Sequence, residues 1–399
     1  MWAKTPIGGE NLKIVDVETI IFKYKSRIGF DIAGHAHPAE EHIAYQTLTR
    51  IVTDEGIDGY CFGGDKRVNE RIIKPAIVGM NPLDRERIWQ YLYRDLQGSR
   101  QLISSEQLAV IDMALWDFAG RYFNVPVCKL LGGYRDKVKA YASTMVGDEI
   151  EGGLNSPEAY AEFAEDLVKS GYKAIKLHTW FPPIKWAPNP EMDIAACRAV
   201  REAVGDDIVL MLDCYHCYSR EEALRIGREI EKLNFYWLEE PMDENNISAY
   251  IWLADKLEIP ILAPETAEGK IWVRLNWILN GAADIIRGGV MRMGGITPLM
   301  KLVHICEAFG VRLELHGAHP GNLQVLGAMG IPGEYVERGL LHPLLDYESR
   351  TPWLKEIIDP MDSEGYVHIP QKPGLGMEIN WSFIEENKVE AGDGKITPR

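Results

Sequence analysis

From Val138 onward, short apolar runs alternate with amphipathic stretches at a steady pace. The runs 138–143, 173–178, 208–213, 235–239, 260–265, 283–287, 312–316 and 334–337 are rich in β-branched, aliphatic and aromatic residues and are predicted as strands. Between them apolar positions recur at helical spacing. Ser156-Pro157-Glu158 opens one helix, and Ser219-Arg220-Glu221-Glu222 opens another as a capping box. A crossover between parallel strands takes roughly a dozen residues, which these intervals supply. Eight such units over about 200 residues match an α/β fold of the (β/α)8-barrel type better than an open sheet.

The pattern before residue 131 is different. Leu12 to Phe22 alternates and is predicted as a strand. Ile28 to Glu40, which contains His35 and His37, reads as a polar loop; Glu41 to Thr47 reads as helical and Ile51 to Phe62 as a second extended piece. Helices then run to Leu131. In Glu106 to Tyr122 the residues Leu108, Ile111, Ala114, Leu115 and Phe118 fall on one helical face. We therefore expect an α+β domain over 1–131 and, after the turn-rich Leu131–Asp136, a barrel over 137–350. The alternation stops after Pro352. Short extended pieces at Gly365–Pro370 and Pro373–Glu378 make 351–399 a segment that returns to the first domain.

Charge narrows the function. The 399 residues carry a net charge of −16, which argues against nucleic acid as a partner because phosphate binding needs a basic surface. No run reaches the roughly 18 apolar residues of a membrane span, and Met1–Glu10 has no apolar signal region. Six cysteines are few for this length and point to reduced thiols in the cytoplasm. Cys214 and Cys217 have redox-motif spacing, but without a second pair they read as strand and loop cysteines.

The candidate chemistry lies at the strand ends. Three successive strands end in Asp213, Glu239 and Glu265, each 26 residues from the next. The middle one sits in Trp237-Leu238-Glu239-Glu240-Pro241, where the proline stops the ladder. Carboxylates at the ends of consecutive parallel strands converge on one face, and an all-oxygen set suits Mg²⁺. The second strand ends Lys176-Leu177-His178, with both polar side chains on one face. A metal and a neighbouring cation depress the pKa of such groups and make them candidate bases. His316 ends the seventh strand, with His319 three residues on, and could face Lys176 and His178 across the mouth. A metal flanked by two proton-handling groups fits removal of a proton α to a carboxylate, because the enolate formed needs electrostatic stabilisation.

On these residues, together with Gly294-Gly295 and Pro373-Gly374-Leu375-Gly376, the chain resembles the enolase superfamily and, within it, the mandelate racemase-like branch with its acid-sugar dehydratases. Sites of this superfamily are known to pair a Lys or His base with Mg²⁺ that stabilises an ene-diolate. The resemblance implies Asp213, Glu239 and Glu265 as Mg²⁺ ligands, Lys176 and His178 where the branch has Lys-x-Lys, and His316 as the opposing histidine of a His–Asp dyad. It implies Glu337 and Glu240 as substrate-binding acids and a loop around Ile28 to His37, with His35 and His37, that closes over a small carboxylate substrate. A homo-oligomer is also implied. Two positions depart from the pattern. His178 replaces the second lysine, and Gly289 stands where the dyad aspartate is expected, with Glu314 the nearest acid by sequence to orient His316. The expected reaction is a Mg²⁺-dependent dehydration of an aldonate or aldarate to a 2-keto-3-deoxy acid. Racemisation, epimerisation or cycloisomerisation through the same enolate is a second reading, and a catalytically inert metal-binding barrel a third.

Overall fold

The computed structural model of the chain describes residues 12–96, 102–330 and 333–389. The stretch Met1–Glu10, read above for a signal region, lies outside them, as do 390–399.

Strands β1 (Ile14–Phe30) and β2 (Ala36–Thr53) form a long antiparallel hairpin, and β3 (Gly59–Phe62) pairs with β2 to complete a three-stranded sheet. This corrects two expectations. Most of Ile28–Glu40 is strand, with the turn confined to 31–35, and Glu41–Thr47 is extended rather than helical. The cause is the partner strand. Ser26 pairs with His42, Tyr24 with Ala44 and Phe22 with Gln46, and Lys25 meets Glu41 across the ladder at 2.7 Å. A helix at 41–47 would leave that side of β1 without backbone partners. The expected piece Ile51–Phe62 is also divided, into the end of β2, a turn, and β3.

The barrel strands are β4 (Lys137–Thr144), β5 (Ala174–His178), β6 (Val209–Asp213), β7 (Phe235–Glu239), β8 (Ile261–Leu262), β9 (Ile285–Gly288), β10 (Arg312–Leu315) and β11 (Tyr335–Leu341). They are parallel and adjacent in chain order, and β11 pairs back onto β4, so the ring of eight closes. The strand expected at 260–265 is only two residues long because Pro260 and Pro264 cannot donate to a ladder. Glu265 therefore stands three residues beyond its strand.

The inward positions fall in layers. Tyr141, Ala174, Met211, Trp237, Leu262, Ile285 and Tyr335 pack into one buried apolar cluster. Two residues further along the same strands come Lys176, Asp213, Glu239, Arg287 and Glu337, all buried. With a side-chain period of two, strands that build the apolar layer also present the polar one.

The N-terminal region is fastened to the mouth end of the barrel. Helix Ser105–Tyr122 is capped by Ser104 and packs beneath the three-stranded sheet. Its Asp112 accepts from the Thr297 N–H at 2.9 Å, and any side chain at Gly295 would collide with it. Trp89 donates to the Gly294 carbonyl at 2.8 Å. The Gly294-Gly295 pair is thus the close approach between cap and barrel. The C-terminal segment pairs β12 (Tyr366–His368) antiparallel with the start of β4, and then packs Trp353, Ile379 and Ile384 against Phe22 and Leu48 of the hairpin.

Candidate active site

Backbone register sets the site. His178 is paired with Asp213, and Asp213 with Glu239, so three functional residues end three adjacent strands at one level. The loops beyond continue the zipper: Cys214 N–H donates to Glu239 O at 3.1 Å, His216 to Glu240 O at 2.8 Å and Tyr218 to Pro241 O at 3.0 Å. Tyr215, His216 and Glu240 all take positive φ (49°, 62° and 32°), a region that costs a non-glycine residue about 1–2 kcal/mol. Strain of this kind concentrates at functional sites.

At the centre Lys176 Nζ lies 2.9 Å from Asp213, 3.1 Å from Glu239 and 2.9 Å from Glu337. Burial alone would lower its pKa, but the three carboxylates outweigh that and hold it well above the usual value. These three carboxylates favour the ammonium form of Lys176. Arg287, fully buried, is its counterpart: 2.9 Å from Glu239, 2.6 Å from Glu337 and 3.5 Å from Glu265, with Tyr141 Oη at 3.2 Å. Sequence reasoning passed over this arginine. The available signal was its phase, two residues after the inward-facing Ile285 on a strand end.

His178 donates from Nδ1 to the Thr144 carbonyl at 2.7 Å, which leaves Nε2 as the nitrogen facing the mouth, 2.9 Å from Asp213. That contact is favourable with a proton on Nε2 or with a cation shared between the two groups. His316 lies three strands round the ring, its ring 43% exposed and Nε2 3.5 Å from Glu265 Oε1. Desolvation lowers its pKa against the opposite pull of Glu265 and Glu337. Gly289, the position expected for the dyad acid, lies against His316 and carries no side chain; a Cβ there would sit 3.4–3.5 Å from the His316 backbone and Cβ. The acid that faces His316 is Glu265. Glu314 is turned away, accepting the N–H groups of Glu334 and Tyr335, and burial pushes its pKa up to about 8.

The donor set fits a divalent cation. Burial would raise Asp213, yet Lys176 and His178 hold it far below the usual range; burial would raise Glu265 too, and His316, Arg287 and Arg292 lower it. Burial pushes Glu239 up to about 7, against Arg287 and Lys176. Glu239 Oε1 faces the Arg287 guanidinium at 2.9 Å, whereas Glu240 Oε2 is buried without a hydrogen-bond partner, which is costly unless something positive is bound. Three strand-end carboxylates of this kind suit Mg²⁺. Glu240 is buried against His216, whose Nε2 is 3.3 Å away, and burial beside Glu265 and Asp213 raises its pKa. Glu337 is held by Lys176, Arg287 and the Gly317 N–H at 2.8 Å rather than standing free.

The hairpin tip reaches this mouth. The His35 ring packs on Tyr215 at 4.5 Å and on Phe181 at 5.9 Å, while Asp31, which sequence reasoning missed, receives both His35 and His37.

Sequence comparison agrees with this architecture. Residues 32–132 match the mandelate racemase / muconate lactonizing enzyme N-terminal domain, and residues 159–383 match the enolase C-terminal domain-like family. The chain belongs to the mandelate racemase / muconate lactonizing enzyme family. Within this family the arabinonate dehydratase of Saccharolobus solfataricus is 32% identical, over 88% of this chain and 92% of that one. The D-galactarolactone cycloisomerase of Agrobacterium fabrum is 29% identical, over 95% and 99%. Among solved structures, D-glucarate dehydratase from Agrobacterium tumefaciens complexed with magnesium superposes with a TM-score of 0.92, at 51% identity over 94% of this chain and 99% of that one. Among the described residues no helix is long and apolar enough to cross a membrane.

Proposed function

We propose that this family member is a Mg²⁺-dependent hydro-lyase that dehydrates an acid sugar, an aldonate or aldarate, to a 2-keto-3-deoxy acid. The observation that carries this reading is the row Lys176–His178, Asp213, Glu239, Glu265 and His316 around one mouth, in a chain 51% identical to a D-glucarate dehydratase. Asp213, Glu239 and Glu265 would hold Mg²⁺, which when bound supplies positive charge for an enolate. Lys176, kept ionised by its three carboxylates, adds charge at the same place. His178 takes the α-proton at Nε2, the nitrogen opposite its bond to Thr144. His316 Nε2, open to the mouth, donates to the β-hydroxyl as it leaves. Glu337 and Arg287 hold one another at the base of the mouth. We further expect a cytoplasmic homo-oligomer, checked by light scattering on the purified chain.

A specific observation favours a second reading in which the two histidines exchange roles. His178 has acceptors at both nitrogens, as an acid would, whereas desolvation lowers the His316 pKa, which favours the unprotonated form that a base needs. The test is keto-acid formation from a library of mono- and diacid sugars with Mg²⁺ and with EDTA, run alongside α-proton exchange in D₂O. Metal-dependent keto acid is expected. His178→Asn abolishes exchange under the first reading; under the second it abolishes elimination and spares exchange, and His316→Asn does the reverse. Exchange without any keto acid from wild type would select racemase or cycloisomerase chemistry, and no exchange with any substrate would leave the inert barrel.

A further inference from the structure

At the tip of the capping hairpin, outside the strand-end acids, three ligand-type atoms converge. His35 Nδ1 is 3.0 Å and His37 Nε2 3.1 Å from the same oxygen, Asp31 Oδ2. All three atoms lie within 4.8 Å of one another. The rest of the tip holds them in place. Asp31 Oδ1 accepts the N–H groups of Ala33 at 2.8 Å and His35 at 3.0 Å, which fixes the carboxylate and leaves Oδ2 free for the rings. His35 is clamped from outside the cluster by Tyr215 and Phe181. The spacing of two residues puts both histidines on one side of the start of β2. The cluster is also open: the side chains of Asp31 and His37 are 17% and 22% exposed.

We propose that Asp31, His35 and His37 form a second metal site, one that takes a transition-metal dication of the Zn²⁺, Co²⁺ or Ni²⁺ class and not Mg²⁺. Two imidazoles and one carboxylate are the donors that borderline-soft ions choose, whereas Mg²⁺ keeps to oxygen and water. Three protein ligands leave coordination positions free on the open side. Each neutral ring has only to carry its proton on its other nitrogen, so the ligand atoms already point at one place. Burial lowers the His35 pKa, which favours the neutral, ligating form. An ion here would tie the two arms of the hairpin together directly above Tyr215 at the barrel mouth. None of its ligands is a strand-end acid, so ion binding here and keto-acid formation at the mouth can be read separately.

The probe is Co²⁺, titrated into the metal-stripped full-length protein with saturating Mg²⁺ present and followed by its visible absorption and by calorimetry. We expect one equivalent with nitrogen-ligated bands in wild type, and binding weakened by more than about 100-fold in His37→Asn and, separately, His35→Gln, since even outer-shell partners contribute 10–100-fold. Asp31→Asn also disturbs the turn, so the two histidine variants, checked for fold by circular dichroism, decide the result. Wild type that binds no Co²⁺ under Mg²⁺, or histidine variants that bind as tightly as wild type, overturn the proposal. In either case Mg²⁺-dependent keto-acid formation measured without Co²⁺ tells separately whether the proposed function stands.

Discussion

Two layers of the barrel interior lie one pleat period apart on the same strands, about 7 Å, and have opposite physics. The lower layer, with Tyr141, Met211, Trp237, Ile285 and Tyr335, is buried hydrocarbon and aromatic ring. The upper, with Lys176, Asp213, Glu239, Arg287 and Glu337, is equally buried and almost wholly ionic. The lower layer stabilises by area removed from water, about 25 cal/mol per Å². The upper layer gains little net stability, since desolvation offsets the attraction of buried ion pairs. It persists because each charge is answered, with Lys176 and Arg287 interleaved among the acids. The difference teaches that the barrel is stable because of its floor and reactive because of a mouth that the floor supports.

The largest expected effect tests the mouth alone. Glu239→Gln keeps shape and burial but removes a charge from the set proposed to hold Mg²⁺. Keto-acid formation should fall by about 10³-fold or more, in line with the loss of a central electrostatic group, with the far-ultraviolet circular dichroism unchanged. A loss below about tenfold would mean that the upper layer is structural after all.

Arg287→Met probes the same layer from the cationic side. Leaving Glu239 and Glu337 without one of their two cationic partners should cost about 3–5 kcal/mol in urea unfolding, the usual penalty for half a buried ion pair. Saturating Mg²⁺ should restore more stability to this variant than it adds to wild type, because an ion bound only to the folded state stabilises it by mass action. Equal Mg²⁺ stabilisation in both proteins would show that Arg287 and the cation act on separate groups.

How much of this was legible follows the same division. The floor and the strand-end acids could be read because a strand's phase is fixed by period two and the 26-residue spacing repeats it. Arg287 was missed because its partners come from β7, the segment after β8, and β11, and no local pattern brings those strands together. Glu265 rather than Glu314 faces His316 for the same reason: the neighbour across the ring outranks the neighbour in sequence. The hairpin was misread at 41–47 because its conformation is decided by pairing with Tyr24–Ser26, residues far enough away that local propensity cannot weigh them. Gly289 could be singled out because the following Gly294-Gly295 gives a fixed count back along the chain, and it does lie beside the His316 backbone.

The smallest effects test where the floor ends. Met211→Ala should cost about 2–5 kcal/mol of stability, as buried truncations do, and leave Mg²⁺ affinity within about twofold of wild type. Trp237 is different, because its indole N–H reaches up and donates to Glu239 Oε2 at 3.1 Å, the oxygen that also accepts from Lys176 at 3.1 Å. Trp237→Phe keeps most of the ring in the floor and deletes that one bond to a charged acceptor, worth about 1.5–3 kcal/mol. The expected result is a Mg²⁺ affinity changed by about tenfold, equivalent to about 1.4 kcal/mol, with a smaller loss of stability than Met211→Ala. If the affinity moves, the floor orients the mouth through a single indole, and the two layers are coupled at β7. If it does not, Lys176 alone positions that oxygen, and the boundary between the layers is complete around the ring.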